Sequence, residues 1–124
     1  MEILVPISLG ELIDKYVILH IKSIKISDPN KLKNIRNEIE YLQDLVNSKK
    51  IDSFLWDQLY EVNDKLWDVE DKLRIKEKNK TFDDEFIQLA RSVYFLNDKR
   101  SQIKREINIK TASNIIEEKS YEQY

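Results

Sequence analysis

From Leu55 to Leu73 the apolar residues Leu55, Leu59, Val62, Leu66, Val69 and Leu73 recur at spacings of four, three, four, three and four. That is the heptad rhythm of a helix packed along its whole length, and no other feature constrains the chain as much. A second seam follows the polar run Lys76–Lys80: Phe82, Phe86, Leu89, Val93, Leu96, Ile103 and Ile107. Two long helices joined by so short a break fold back as antiparallel neighbours. At about 1.5 Å per residue each would be about 40 Å long. The remainder of the chain has to be fitted around this hairpin.

Two shorter helices are expected before it. Residues 2–7 form an extended lead-in, because the residue before Pro6 is pushed out of the helical region. Ser8 and Glu11 then make an S-x-x-E capping box, with Ile7 and Leu12 placed as its hydrophobic staple. The first helix should run from about Leu9 to Lys25. Its apolar residues, among them Leu12, Ile13, Tyr16, Val17 and Ile21, cover more than half its circumference, as in a helix wedged between several others. Asp28-Pro29 opens a second helix, a cap followed by proline at the first helical position, and Asn47–Lys50 breaks it. Asp52 should cap the third helix and Thr81 or Asp83 the fourth. Residues 111–124 are polar apart from Ile115-Ile116 and are expected as a C-terminal arm. The expected fold is all-α and four-helix bundle-like: one domain over 1–124, a long antiparallel hairpin with two shorter helices packed on it.

Composition narrows the function classes. Cysteine is absent, which removes disulfide and thiol chemistry. The longest apolar run, Val17–Leu19, is far too short to span a bilayer, and residues 1–12 lack the pattern of a signal peptide. A cytoplasmic protein with no membrane partner is expected. The net charge of −2 arises from a dense mixture of both signs, which argues against a nucleic-acid partner.

Three clusters could carry chemistry. The first is acidic: Asp57, Glu61, Asp64, Asp68 and Asp71 on one face of the third helix. Carboxylates so spaced bind Mg²⁺ in all-helical nucleotide pyrophosphohydrolases, but this stripe lies opposite the apolar seam and should face water. The second is basic: Lys99, Arg100, Lys104, Arg105 and Lys110. With Asp83, Asp84 and Glu85 at the other end of that helix, most of it complements the helix dipole. His20, the sole histidine, reads as a packed residue of the first helix, since zinc constellations and imidazole triads need further partners.

The third cluster breaks the binary pattern. On the helical wheel Arg100 falls near the middle of the apolar arc of the fourth helix, with Asn97 and Lys104 at its edge. Polar residues at core positions need partners. The third helix offers Trp56, Tyr60 and Asn63 beside its seam. Folding the hairpin about Lys80 sets Asn63 level with Asn97, Tyr60 with Arg100, and Trp56 with Lys104. Two amides, two aromatics and two cations in one zone suit a small anionic or planar ligand. The alternative is a buried network in which Arg100 stacks on Tyr60 and is neutralised by Glu38, Glu40 or a tail glutamate. On that view Arg100→Met is tolerated, because apolar replacement of a buried ion network is often neutral.

The strings VPISLGELIDK, VNDKLWDVEDKLR, FIQLARSVYFLNDKRSQIKREIN and EEKSY together resemble a family of small uncharacterised proteins from bacteria and their phages. The resemblance spans nearly the whole chain. It implies a fold but no reaction and no catalytic residue. The leading expectation is a self-associating, non-enzymatic binding or interaction module with a site at Trp56, Tyr60, Asn63, Asn97, Arg100 and Lys104, and with no cofactor or metal. The alternatives are a metal-dependent pyrophosphohydrolase-like enzyme using the third-helix carboxylates, and a structural scaffold subunit.

Overall fold

The computed structural model describes residues 1–124. It holds four helices and no strand: α1 (Leu9–Lys25), α2 (Pro29–Asn47), α3 (Ser53–Lys78) and α4 (Asp84–Lys110). Each begins where a side-chain oxygen accepts one of the backbone N–H groups that a first helical turn leaves unpaired. Ser8 Oγ accepts from the Glu11 N–H at 3.2 Å. Asp28 accepts from Asn30 and Lys31 at 2.9 and 3.1 Å, and Asp52 from Phe54 at 2.8 Å. Asp83, not Thr81, caps α4, accepting from Phe86 at 2.9 Å. Residues 2–7 form neither helix nor strand, and Ile7 stays 44 % exposed, so the anticipated staple onto Leu12 buries little.

The hairpin closes where the heptad break falls. Asn79 ends α3, and Lys80 adopts φ 54° to reverse the chain. Lys76 reaches across the turn to Asp83 at 2.9 Å and Glu85 at 3.4 Å, which fixes the register close to that read from the sequence. No helix is long and apolar enough to cross a membrane.

α1 is the wedge. It packs against α2, α3 and α4, whereas α2 packs on α1 alone and approaches the hairpin only through it. Ile13, Val17 and Ile21 of α1 join Leu55, Leu59 and Val62 of α3 and Ile103 and Ile107 of α4 in one core cluster. Each such side chain contributes roughly 1.5–3 kcal/mol on full burial. α1 covers only the half of the hairpin remote from its turn. Towards the turn the seam residues Val69, Leu73, Phe86, Leu89 and Val93 are half-buried, and Ile75, Phe82 and Ile87 are exposed.

Candidate functional site

Four of the six residues singled out in the sequence converge, and an unanticipated carboxylate holds them together. Asp14 of α1 is buried, with its side chain 2 % exposed. Its Oδ1 accepts from Asn63 Nδ2 at 2.9 Å and from Arg100 Nε at 3.0 Å. Its Oδ2 accepts from Arg100 Nη2 at 2.5 Å. The Lys104 ammonium stands 3.9 Å away. Arg100 thus grips Asp14 in the two-pronged geometry that suits a guanidinium to a carboxylate. That hydrogen bonding holds the Arg100 guanidinium above its ordinary value, against the opposing effect of burial.

Lys104, also buried, donates to Glu11 Oε2 at 2.7 Å and lies 3.7 Å from Glu117 of the C-terminal segment. The capping box is therefore half closed: Ser8 takes the Glu11 N–H, while the Glu11 carboxylate turns to α4. Beside it Gly10, the only glycine in the chain, donates its N–H to Asn108 Oδ1 at 2.7 Å. A Cβ there would stand 2.5 Å from the Lys104 carbonyl oxygen. α1 and α4 touch backbone to backbone at this point, which only glycine permits.

The partner of Arg100 is thus Asp14, not Glu38, Glu40 or a tail glutamate. Glu38 pairs instead with Lys15 at 3.2 Å. Nor do the two aromatics face the cations. Trp56 meets Tyr16 edge-on with ring centroids 5.9 Å apart, and both Trp56 and Tyr60 lie half-buried against the core cluster. α1 explains the displacement. It fills the groove between α3 and α4, so residues level with one another across the hairpin meet α1 before they meet each other. His20 is half-buried and packs against Tyr16 at 4.6 Å.

A cleft of about 260 Å³ opens next to this network. Asn63, Asn97 and Arg100 line its polar side with Glu70, and Trp67 is among the apolar residues of its wall. Asn63 uses both amide hydrogens internally, on Asp14 and on the Leu59 carbonyl at 3.0 Å, and no protein group donates to its side-chain oxygen. Arg100 Nη1 meets only Asn97 Oδ1, at 3.5 Å. A guanidinium has five N–H donors, so Arg100 keeps capacity on its outer edge.

The acidic stripe behaves otherwise. Asp57, Glu61, Asp68 and Asp71 are exposed, with Asp64 half-buried. Lys25 lies 3.4 Å from both Asp64 and Asp68, and the bond to Asp64 holds its ammonium above the ordinary value. Lys65 pairs with Glu61 at 2.9 Å and lowers that carboxyl below its usual range. No three of the acidic and histidine side chains converge as a metal-binding group. The basic residues outside the network lie on the surface, Arg105 against Glu118 at 2.6 Å and Lys110 against Asp52 at 3.3 Å.

Sequence reasoning missed Asp14, Glu11, Gly10 and Asn108. Asp14 had a signal, since it lies on the wheel among Gly10, Val17, Ile18 and Ile21. Gly10 had another, as a lone glycine inside a helix. Glu11 was absorbed by its capping role.

Compared with models of protein families, residues 3–124 match the Family of unknown function (DUF6165). No curated protein matches the chain, and no solved structure does.

Proposed function

The chain belongs to that family, whose description names no activity, and we propose on the geometry alone that it is a binding module, not an enzyme, holding a small molecule in the cleft beside Asp14. The observation that carries this reading is the cleft wall: Asn63, Asn97 and Arg100, each with hydrogen-bonding capacity that the protein leaves unused, line one space with Trp67. A few convergent polar groups on an apolar surface are the usual make-up of a ligand site. Both cations of the network already face carboxylates, and Glu70 stands in the wall. A polyanion would therefore be repelled. The fitting ligand is planar, carries at most one negative charge, and presents an acceptor oxygen to Arg100 and a donor to Asn63. We further propose that the module self-associates through the uncovered half of its hairpin. The sequence resemblance points to a bacterial or phage source, and the short apolar runs with no signal-peptide pattern support our reading of a cytoplasmic location.

Asn97→Ala tests the reading, because Asn97 borders the cleft without belonging to an ion pair. Native mass spectrometry of gently purified protein would detect a retained small molecule. Titration of wild type and variant with benzoate, nicotinamide, uracil and inorganic phosphate would rank ligand chemistry. At least one planar compound should bind tenfold more weakly to the variant, a loss of about 1.4 kcal/mol, with the melting temperature almost unmoved. A protein that carries nothing and binds none of the planar compounds would leave the network as architecture that fixes helix register, the scaffold reading.

A further inference from the structure

A larger groove lies at the opposite end of the bundle from the hairpin turn. Its volume is about 1160 Å³, and it runs between the start of α1, the end of α2, the end of α4 and residues 3–7. Leu9 and Leu12 of α1 and Leu42 and Leu45 of α2 supply apolar walls. This N-terminal segment lines it with Ile3 78 %, Leu4 94 % and Val5 63 % exposed. Isolated exposed apolar side chains are ordinary, but a contiguous set around a groove marks a binding surface.

Charge identifies the occupant. Lys15, Lys49, Lys50 and Lys110 line the groove, and Glu11 is its only acidic residue. Glu11 is already engaged by Lys104. Lys15 and Lys110 have partners in Glu38 and Asp52, but these pairs are about half exposed and hold little in water. Lys49 and Lys50 have no ion pair. In a chain with net charge −2 this is a local reversal of sign.

We infer that this groove binds a free, single-chain amphiphile with one anionic head, the chain lying along the leucines and the head between Lys49 and Lys50. Burying each methylene of such a chain gains about 0.8 kcal/mol, and the lysines decide which head is accepted. A second copy of the protein is the wrong occupant: a self-complementary contact brings each patch against its own kind, so eight lysines would crowd together. Insertion into a bilayer is also disfavoured. Residues 2–7 lie outside the helices and make no backbone–backbone hydrogen bond, and hydrocarbon penalises unpaired backbone groups severely. In an open groove their outer side stays in water.

Laurate, dodecyl phosphate and dodecanol, each below its aggregation limit, serve as probes in calorimetric titrations of the whole chain. The two anions should bind saturably with one per chain, and dodecanol at least tenfold more weakly. The double change Lys49→Glu with Lys50→Glu, at exposed positions, should weaken laurate at least tenfold without altering the melt. Leu45→Asp should abolish laurate and dodecanol binding alike. Absence of laurate binding overturns the inference, as does laurate binding that ignores the charge reversal. Flotation with phosphatidylserine vesicles in a protein that takes no laurate would overturn it in favour of a membrane surface. Asn97→Ala should leave every one of these titrations unchanged, which separates this groove from the cleft beside Asp14.

Discussion

Leu59 and Leu73 stand two heptads apart on the same seam of α3. Leu59 is fully buried, while Leu73 is only half-buried. The repeat is as regular at one as at the other. What differs is the third helix. Where α1 lies in the groove of the hairpin, Val62, Ile103 and Ile107 close over and a carboxylate can be held inside with its hydrogen bonds satisfied. Past the reach of α1 the same pattern leaves Val69, Leu73, Phe86, Leu89 and Val93 only half-buried and Phe82 in solvent. A heptad seam therefore specifies that a helix will be packed, and the neighbouring elements determine how deeply. The closed half can carry a rigid polar site. The open half is surface available to another molecule.

The strongest way to break the closed half is to strip Asp14 of its partner. Arg100→Met leaves a buried carboxylate with Asn63 and a distant lysine. Removing one partner of a buried pair typically costs about 3–5 kcal/mol, so the variant should melt far below wild type. The tolerance that the sequence suggested holds only for replacing the network as a whole. Asp14→Leu combined with Arg100→Met should recover much of the loss, and a double-mutant cycle in urea measures the coupling. Equal stability of Arg100→Met and wild type would mean that Asp14 is not enclosed.

Truncation compares the two halves directly. Leu59→Ala opens a cavity in a closed core, for which about 2–5 kcal/mol is usual. Leu73→Ala removes a side chain already half in water and should cost less than half as much in dilute monomer. If a second copy covers the open half, the cost at Leu73 will rise with protein concentration, because association adds to stability by mass action. Sedimentation and melts over a hundredfold concentration range would reveal it. Leu73→Glu should abolish that dependence.

Gly10→Ala sharpens the account of why the closed half is closed. In an isolated helix the change would help by up to about 1 kcal/mol. Here the added carbon meets the Lys104 carbonyl oxygen at 2.5 Å, and backbone cannot swing aside as a side chain can. Overpacking of this kind costs about 1–3 kcal/mol, so a net loss is expected, with α1 pushed off α4. Calorimetric melts decide the sign.

These residues also mark where sequence reasoning succeeded and where it stopped. Helix limits were readable because caps are local: Ser8, Asp28 and Asp52 act on N–H groups two or three residues away. The hairpin register followed from the position of one polar break. Arg100, Asn97 and Lys104 stood out because polar residues on an apolar arc violate a periodic pattern. Their partners did not emerge, since pairing depends on which third helix enters the groove and at what height, a property of packing between distant segments. Hairpin geometry alone sets Trp56 and Tyr60 against the cations, and α1 comes between. Asp14 obeyed the same wheel test as Arg100 and could have been found by applying it to α1.

The smallest expected effect concerns the outer side of α4, away from its apolar seam, where the C-terminal segment covers two aromatic residues. It runs back along α4, and Tyr124 packs on Tyr94 and Phe95 with ring centroids 5.2 and 4.7 Å away. The Tyr124 hydroxyl donates to Asp98, and that bond is the main reason its pKa is pushed up to about 12. The neutral phenol is the form that docks. The contribution of this contact is therefore complete below the ordinary tyrosine value of 10.0 and disappears as pH rises through about 12, when a phenolate faces the Asp98 carboxylate. Absorbance titration should show one of the six tyrosines ionising late, and Tyr124→Phe should delete that step. Asp98→Asn should bring it back towards 10, because the acceptor charge is gone while the rings remain in contact. Hydrogen exchange at neutral pH then asks what the strap does for the hairpin. If it steadies the uncovered part of α4, Tyr124→Ala should speed exchange around Tyr94 and Phe95 and leave Ile103 and Ile107 protected. Equal acceleration along all of α4 would mean that the two halves unfold as one, and the contrast between them would be one of burial without a difference in stability.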